Sequence, residues 1–205
     1  MNKIFRELIE RYPVLRKCEN EIYAAYEMTV ETYENGGKLL CCGNGGSAAD
    51  CDHLVGELMK GFLKQRPLSD VEKESFGNPF VADNLQKGLP AISLTAHSAL
   101  MTAYSNDAVS QLVFAQQVYA YGKKGDLLFA FSTSGNSENV VYAVEAAKAA
   151  GVKSVAVTGE KESKLSSLAD LCIRLPETET FKIQELTLPV YHCLAAMVED
   201  KFFEN

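Results

Sequence analysis

The 205-residue sequence predicts an α/β fold: a three-layer sandwich on a five-stranded parallel sheet, with extra helices at its N-terminus. Three observations carry that expectation. Short, nearly continuous apolar runs recur along the chain: KLLCC (38–42), LPAISLT (89–95), DLLFAF (126–131), VKSVAVTG (152–159) and LCIRL (171–175). Stretches with helical spacing separate them, and two of the connections are glycine- or serine-rich loops. Strands apolar on both faces belong to a parallel sheet covered on both sides. The strand order expected is 2-1-3-4-5, with right-handed crossovers. Ligands in such sheets bind beyond the carboxyl ends of the strands.

Each element follows from local pattern. In residues 1–36, Ile4, Leu8 and Ile9, then Ile22, Ala25, Tyr26, Val30 and Tyr33, recur at mostly three- and four-residue steps. Pro13 divides this region into two helices, and Gly36-Gly37 ends the second. If the sheet helices already fill the core, these N-terminal helices keep free apolar faces suited to a subunit interface. After the first strand comes the loop GNGGSAAD and the helix CDHLVGELMKGF. The third strand leads through STSGNSEN into VVYAVEAAKAAG, KLSSLAD forms a short helix, and about 180 to 203 is helical. Residues 64–88 break the rhythm: polar, with two prolines and no strand pattern, they read as a partly helical surface insertion or as an active-site lid. The whole chain reads as a single domain.

Composition narrows the function. Apolar residues make up 47% and charged residues 23%, the balance of a soluble globular protein. With Lys plus Arg at 20 against Asp plus Glu at 27, a broad nucleic-acid-binding surface is excluded, although a local anion site is not. No apolar run approaches the roughly 18 residues of a membrane span, and the N-terminus lacks a secretory apolar stretch. A cytoplasmic protein with reduced thiols is expected. Cys18, Cys41, Cys42, Cys51, Cys172 and Cys193 form no C-x-x-C pair, and Cys41 and Cys42 point to opposite faces of one strand.

The loops carry the chemistry. Ser132, Thr133, Ser134 and Ser137 place four hydroxyls in six residues between a buried strand and a helix start. Unpaired N–H groups and the helix dipole hold a phosphate there without Lys or Arg; the plain alternative is a Ser-rich N-cap. Gly43-Asn44-Gly45-Gly46-Ser47 occupies the equivalent place after the first strand. It is neither G-x-G-x-x-G nor a Walker loop, which disfavours a dinucleotide or ATP.

GNGGSAAD and FSTSGNSENV together resemble the sugar-isomerase (SIS) domain, and within it the phosphoheptose isomerases, over about residues 36–203 apart from the insertion. The resemblance implies the flavodoxin-like SIS fold, a phosphorylated sugar as substrate and a homotetramer. It implies substrate contacts from Asn44, Gly45, Gly46, Ser47, Ser132, Thr133, Ser134 and Ser137. It adds Gln184 and also Asp107, which on its own reads as a cap or loop residue.

His53 and Glu57 lie four apart on the predicted helix, on one face. Gln184 and His192 lie eight apart near the C-terminus. By spacing alone the first pair reads as a surface or capping contact rather than as ligands. The resemblance implies that His53, Glu57, Gln184 and His192 hold one zinc ion per subunit, with Glu57 and His192 as the acid–base pair. Pro189, between Gln184 and His192, is expected to kink the helix or start it. The family's basic residue after the glutamate and its aspartate before the glutamine are here Gly61 and Phe181, with Lys60 and Glu179 nearby. His97 reads as a loop or cap residue, with a substrate contact as the alternative. The expected reaction is aldose–ketose isomerisation of a sugar phosphate through an enediolate, with sedoheptulose 7-phosphate the implied ketose. A non-catalytic phosphosugar or partner binder, and an SIS enzyme for an N-acetylated amino-sugar phosphate, are the alternatives.

Overall fold

The computed structural model describes residues 2–203. Its single sheet has the order β2-β1-β3-β4-β5, all parallel: β1 Leu39–Cys42, β2 Ala91–Ser93, β3 Leu127–Phe131, β4 Lys153–Thr158 and β5 Leu171–Arg174. The α/β sandwich and strand order match the expectation. The second strand is shorter than its apolar run, because past Ser93 the chain turns toward a helix. β1 pairs with both β2 and β3, so the strand order reverses between β1 and β3, where doubly wound sheets leave a crevice.

Helices cover both faces. α1 (Lys3–Arg11), α2 (Glu19–Glu34), α3 (Gly46–Met59) and α10 (Thr180–Phe202) lie on one side. α6 (Ser98–Asp107), α7 (Val113–Tyr121), α8 (Glu138–Ala150) and α9 (Lys164–Leu168) lie on the other. β1 shows the alternation: Leu39 and Cys41 enter the first core, Leu40 and Cys42 the second. All six cysteines are free, and burial pushes the Cys42 thiol up to about 12, so these thiols serve as small hydrophobes.

α1 and α2 bury Phe5, Leu8, Ile9, Ile22 and Ala25 within this chain, while Tyr23, Tyr26, Met28 and Val30 on α2 stay partly exposed. Pro13 does separate them, within a 3₁₀ turn over Pro13–Cys18. Pro189 neither breaks nor starts α10, which runs continuously through it. The helix buries Ile183, Thr187, Val190, Tyr191 and Leu194 around the proline, and this packing outweighs the one lost hydrogen bond.

The insertion leaves the core as an excursion containing α4 (Asp70–Lys73) and α5 (Pro79–Asn84). Its neck is closed by the Pro67–Gln86 bridge and the Lys87 N–H to Arg66 carbonyl bond of 2.7 Å. No helix among the described residues is long and apolar enough to cross a membrane.

Candidate active site

The loops 43–47 and 132–137 leave the carboxyl ends of β1 and β3, so the pairing of those strands sets them side by side at the crevice. They are joined by a reciprocal amide pair: Asn44 Nδ2 donates to Asn139 Oδ1 at 2.9 Å, and Asn139 Nδ2 donates back to Asn44 Oδ1 at 2.8 Å. Gly45, at φ 55° and ψ −119°, turns the chain into α3 in a conformation that favours glycine. Neither α3 nor α8 carries a side-chain N-cap bond, and both begin at the crevice, where the positive ends of their dipoles favour an anion.

The serine loop is held from several directions. Ser132 Oγ donates to Ser137 Oγ at 3.0 Å, and the Asn136 N–H donates to Ser134 Oγ at 3.2 Å. The Lys164 N–H donates to Asn136 Oδ1 at 3.0 Å, tying the loop to the start of α9. Thr133 Oγ1 meets Thr180 Oγ1, at the start of α10, at 3.5 Å. Ser47 and Ser132 are buried, while Ser134 is open to solvent.

α3 and α10 run side by side in the same direction. At their starts, the Gln184 side chain lies over Gly46, where an added Cβ would fall 2.6 Å from Gln184 Nε2. Two turns along, His53 meets Glu57 and His192. His53 Nε2 is 3.2 Å from Glu57 Oε1 and 3.4 Å from His192 Nε2. The rise of 1.5 Å per residue separates the two meeting points by about 10–12 Å. Glu57 divides its oxygens, with Oε2 accepting from Lys60 Nζ at 3.1 Å. The Phe62 ring covers His192 at 5.4 Å between centroids. Burial, and then the neighbouring His53, push His192 down from its ordinary pKa against the pull of Glu57, which favours a neutral ring with a lone pair.

Behind His53 stands Tyr191, whose hydroxyl is 2.9 Å from His53 Nδ1. Burial, followed by the charge of Asp50, raises the Tyr191 phenol. Burial raises Asp50, which Tyr191 and His53 pull back down. The two groups are close enough to affect each other, but no well-formed hydrogen bond closes between them, and Asp50 Oδ2 is buried without a partner.

His53, Glu57 and His192 carry donor types that zinc takes, but they are not assembled as a metal site. Ligand atoms about 2 Å from a tetrahedral ion lie roughly 3.3 Å from one another, the separation of the two edges that meet at His53. The third edge is open, since no ion pair joins Glu57 and His192, and among the described residues no group of three or more His, Cys, Asp or Glu is arranged to hold a metal ion. The Gln184 side chain lies beside Gly46 at the loop end, and no hydrogen bond joins it to His53, Glu57 or His192.

The remaining sequence candidates scatter. Asp107, the last residue of α6, is exposed and accepts from Asn106 Nδ2 at 2.8 Å. His97 is the N-cap of α6, its Nδ1 accepting from the Leu100 N–H at 3.2 Å, which is the cap reading. Gly61 admits no side chain, since an added Cβ would lie 2.4 Å from the Lys64 carbonyl oxygen, and Lys60 brings the cation to Glu57 instead. Phe181 is exposed, and Glu179 pairs with Lys182.

Sequence reasoning missed a buried ion pair beneath the site. Arg66, 1% exposed, donates from Nε to Glu199 Oε1 at 2.8 Å, from Nη1 to the Leu58 carbonyl at 2.7 Å and from Nη2 to the Glu57 carbonyl at 3.2 Å. It therefore caps the end of the helix that carries His53 and Glu57. Glu199 also accepts the N–H groups of Phe62, Leu63 and Lys64 at 2.8, 2.7 and 3.1 Å. Burial raises its carboxyl, but these hydrogen bonds and Arg66 outweigh that and leave it below the ordinary carboxylate range. An arginine between Gln65 and Pro67 in a polar stretch gave no signal of this role.

Comparison with known proteins adds relatives to this geometry. Two SIS domain models match, one over residues 5–73 and another over 90–197, the gap falling in the excursion. A phosphoheptose isomerase of Rhodospirillum rubrum is 39% identical, covering 91% of this chain and 88% of that one. One from Nitratiruptor is 35% identical over 98% and 100% of the two chains. Solved structures of phosphoheptose isomerases from Francisella tularensis and Neisseria gonorrhoeae superpose with TM-scores of 0.78 and 0.76 at 31% and 30% identity. They cover 96% of this chain, and 94% and 95% of theirs.

Proposed function

This chain belongs to the SIS-domain family and is a phosphosugar isomerase of the phosphoheptose isomerase group, and from that premise we propose that it interconverts sedoheptulose 7-phosphate and an aldoheptose 7-phosphate through an enediolate. The observation that carries the proposal is the layout of α3 and α10. Their starts meet at the glycine-rich loop 43–47, and about 10–12 Å further along they meet again at His53, Glu57 and His192. A sugar phosphate held by its ester at the first meeting reaches the second with its carbonyl end.

Ser132, Thr133, Ser134 and Ser137, with the α8 N-terminus, grip the phosphate; Asn44, Gly45, Gly46 and Ser47, with Gln184, line the other side of the crevice. That grip supplies binding energy remote from the reacting carbons and orients them. From the aldose, one of the pair Glu57 and His192 takes the C2 proton, and the C2–H electrons form the C1–C2 double bond as O1 gains charge. The partner moves the O2 proton toward O1, and the stored proton returns to C1 as the C2 carbonyl forms. Atoms and charge balance without an external reagent. Lys60 holds Glu57 Oε2 in place. Zinc, when held by His53, Glu57 and His192, supplies positive charge to the carbonyl and enediolate oxygens. Phe62 over His192 keeps bulk water from that side.

The test is Glu57→Gln. Turnover is expected to vanish while phosphosugar binding, read by calorimetry, persists. Full activity in that variant refutes the role.

A further inference from the structure

Resting on the reading of Glu57 and His192 as the acid–base pair, we propose that Arg66 and Glu199 are positioning residues: together they lock the C-terminal turn of α3 to α10, and so set the reach between Glu57 and His192 and hold Phe62 over the His192 ring. Glu57 lies in the last turn of α3, where the final carbonyls have no partner inside the helix. No glycine closes that end, for the C-cap Lys60 is already extended at φ −134° and ψ 174°. Arg66 closes it instead. Its Nη1 donates to the Leu58 carbonyl at 2.7 Å, and its Nη2 donates to the carbonyl of Glu57 itself at 3.2 Å. The Nε of the same guanidinium donates to Glu199 at 2.8 Å. Glu199 follows His192 on α10 by two helical turns, on a similar face. One planar fork thus spans the two helices that carry the pair. The Glu199 carboxylate also takes the Phe62 N–H at 2.8 Å, and the Phe62 ring covers His192 at 5.4 Å between centroids. Lys64 repeats the tie further out, reaching the Phe203 carbonyl and Asp200 at 2.8 Å each. Stability does not account for such a pair, because a buried ion pair adds little over well-packed apolar groups. What a rigid five-donor fork adds is direction. Direction is what a reacting pair needs, since a misplacement of about 1 Å can cost about 10²-fold in rate.

The test uses the full chain with both members replaced, Arg66→Met together with Glu199→Gln, which leaves no buried charge and keeps an acceptor for the Phe62 N–H. Arg66→Lys is the second variant, in case the first fails to fold; it keeps the charge and loses the fork. The first readout is kcat and KM for sedoheptulose 7-phosphate per folded molecule, well below the melting transition. The paired variant is expected to lose roughly 10²-fold in kcat, with KM within about twofold of wild type because the phosphate loops are untouched. Arg66→Lys is expected to lose part of that. The second readout is the imidazole spectrum of carbon-13-labelled histidine, of which the chain has three. The His192 resonance is expected to move in both variants as the Phe62 ring shifts. A kcat within about twofold of wild type in either variant overturns the proposal, as does a loss carried by KM alone. If Glu57→Gln keeps full activity, the acid–base reading is what fails, and the spectrum alone decides: a His192 resonance that stays in place overturns the positioning role, and one that moves upholds it.

Discussion

Replacing Glu199 by Gln changes one oxygen for an amide group and leaves the volume of the site intact. The native carboxylate accepts four hydrogen bonds, from three successive backbone N–H groups and from Arg66 Nε, and both members of the ion pair are about 1% exposed. The amide keeps one acceptor, turns donors toward donors and leaves the Arg66 guanidinium buried without its counter-charge. Breaking a buried pair in this way costs about 3–5 kcal/mol. In a chain of this size each kcal/mol lowers Tm by about 2–4 °C, so a drop of about 6–20 °C is expected. Urea and thermal unfolding followed by circular dichroism measure it. Activity should fall further than stability accounts for, because Arg66 caps the end of the helix bearing Glu57. A loss below about 1 kcal/mol would refute the reasoning, and would mean that water or backbone movement satisfies the guanidinium.

Other expectations follow from the same geometry. The folded-state pKa of Glu199 lies below its unfolded value, so its stabilisation is present above the ordinary carboxylate range and is lost as pH falls through the folded-state value. The stability gap between wild type and Glu199→Gln should accordingly narrow in acid, and a gap constant from pH 7 to pH 3 in urea melts contradicts this. Gly46→Ala drives a methyl against the Gln184 amide, the movable end of a long side chain, so the protein should fold while KM for the sugar phosphate rises several-fold; unaltered kinetics would remove Gln184 from the crevice. Asn139→Ala cuts both bonds between the ligand loops and should cost about 1–3 kcal/mol of stability and raise KM, as steady-state kinetics and melts will show.

The sheet was legible because each strand is an apolar run bounded by turn residues, and the two ligand loops because a strand–loop–helix unit leaves its loop at a fixed edge. His53 and Glu57 were readable together since four residues make one helical turn. Their meeting with His192 came from the resemblance. What stayed hidden joins residues far apart in the chain with no local pattern: Arg66 with Glu199, Asn44 with Asn139, and Tyr191 with His53. Tyr191 reads as one more core aromatic on α10, and only the packing of α3 against α10 gives its hydroxyl an imidazole to hold. Pro189 illustrates the opposite error, where a local rule forecasts a break and burial on both sides of the proline maintains the helix.

The pinched base of the excursion has a corollary for variation. Its two sides meet at Pro67–Gln86 and Lys87–Arg66, and the Gly61 N–H is bound by Gln86 Oε1 at 2.7 Å. Past that throat the stretch between Leu68 and Leu85 is mostly exposed, with Ala82 buried and Glu72 paired back to Lys87 at 2.8 Å. Shortening it, lengthening it or exchanging it for foreign sequence should leave the helix registers behind it undisturbed, which makes this segment the natural port for grafting new recognition onto the enzyme.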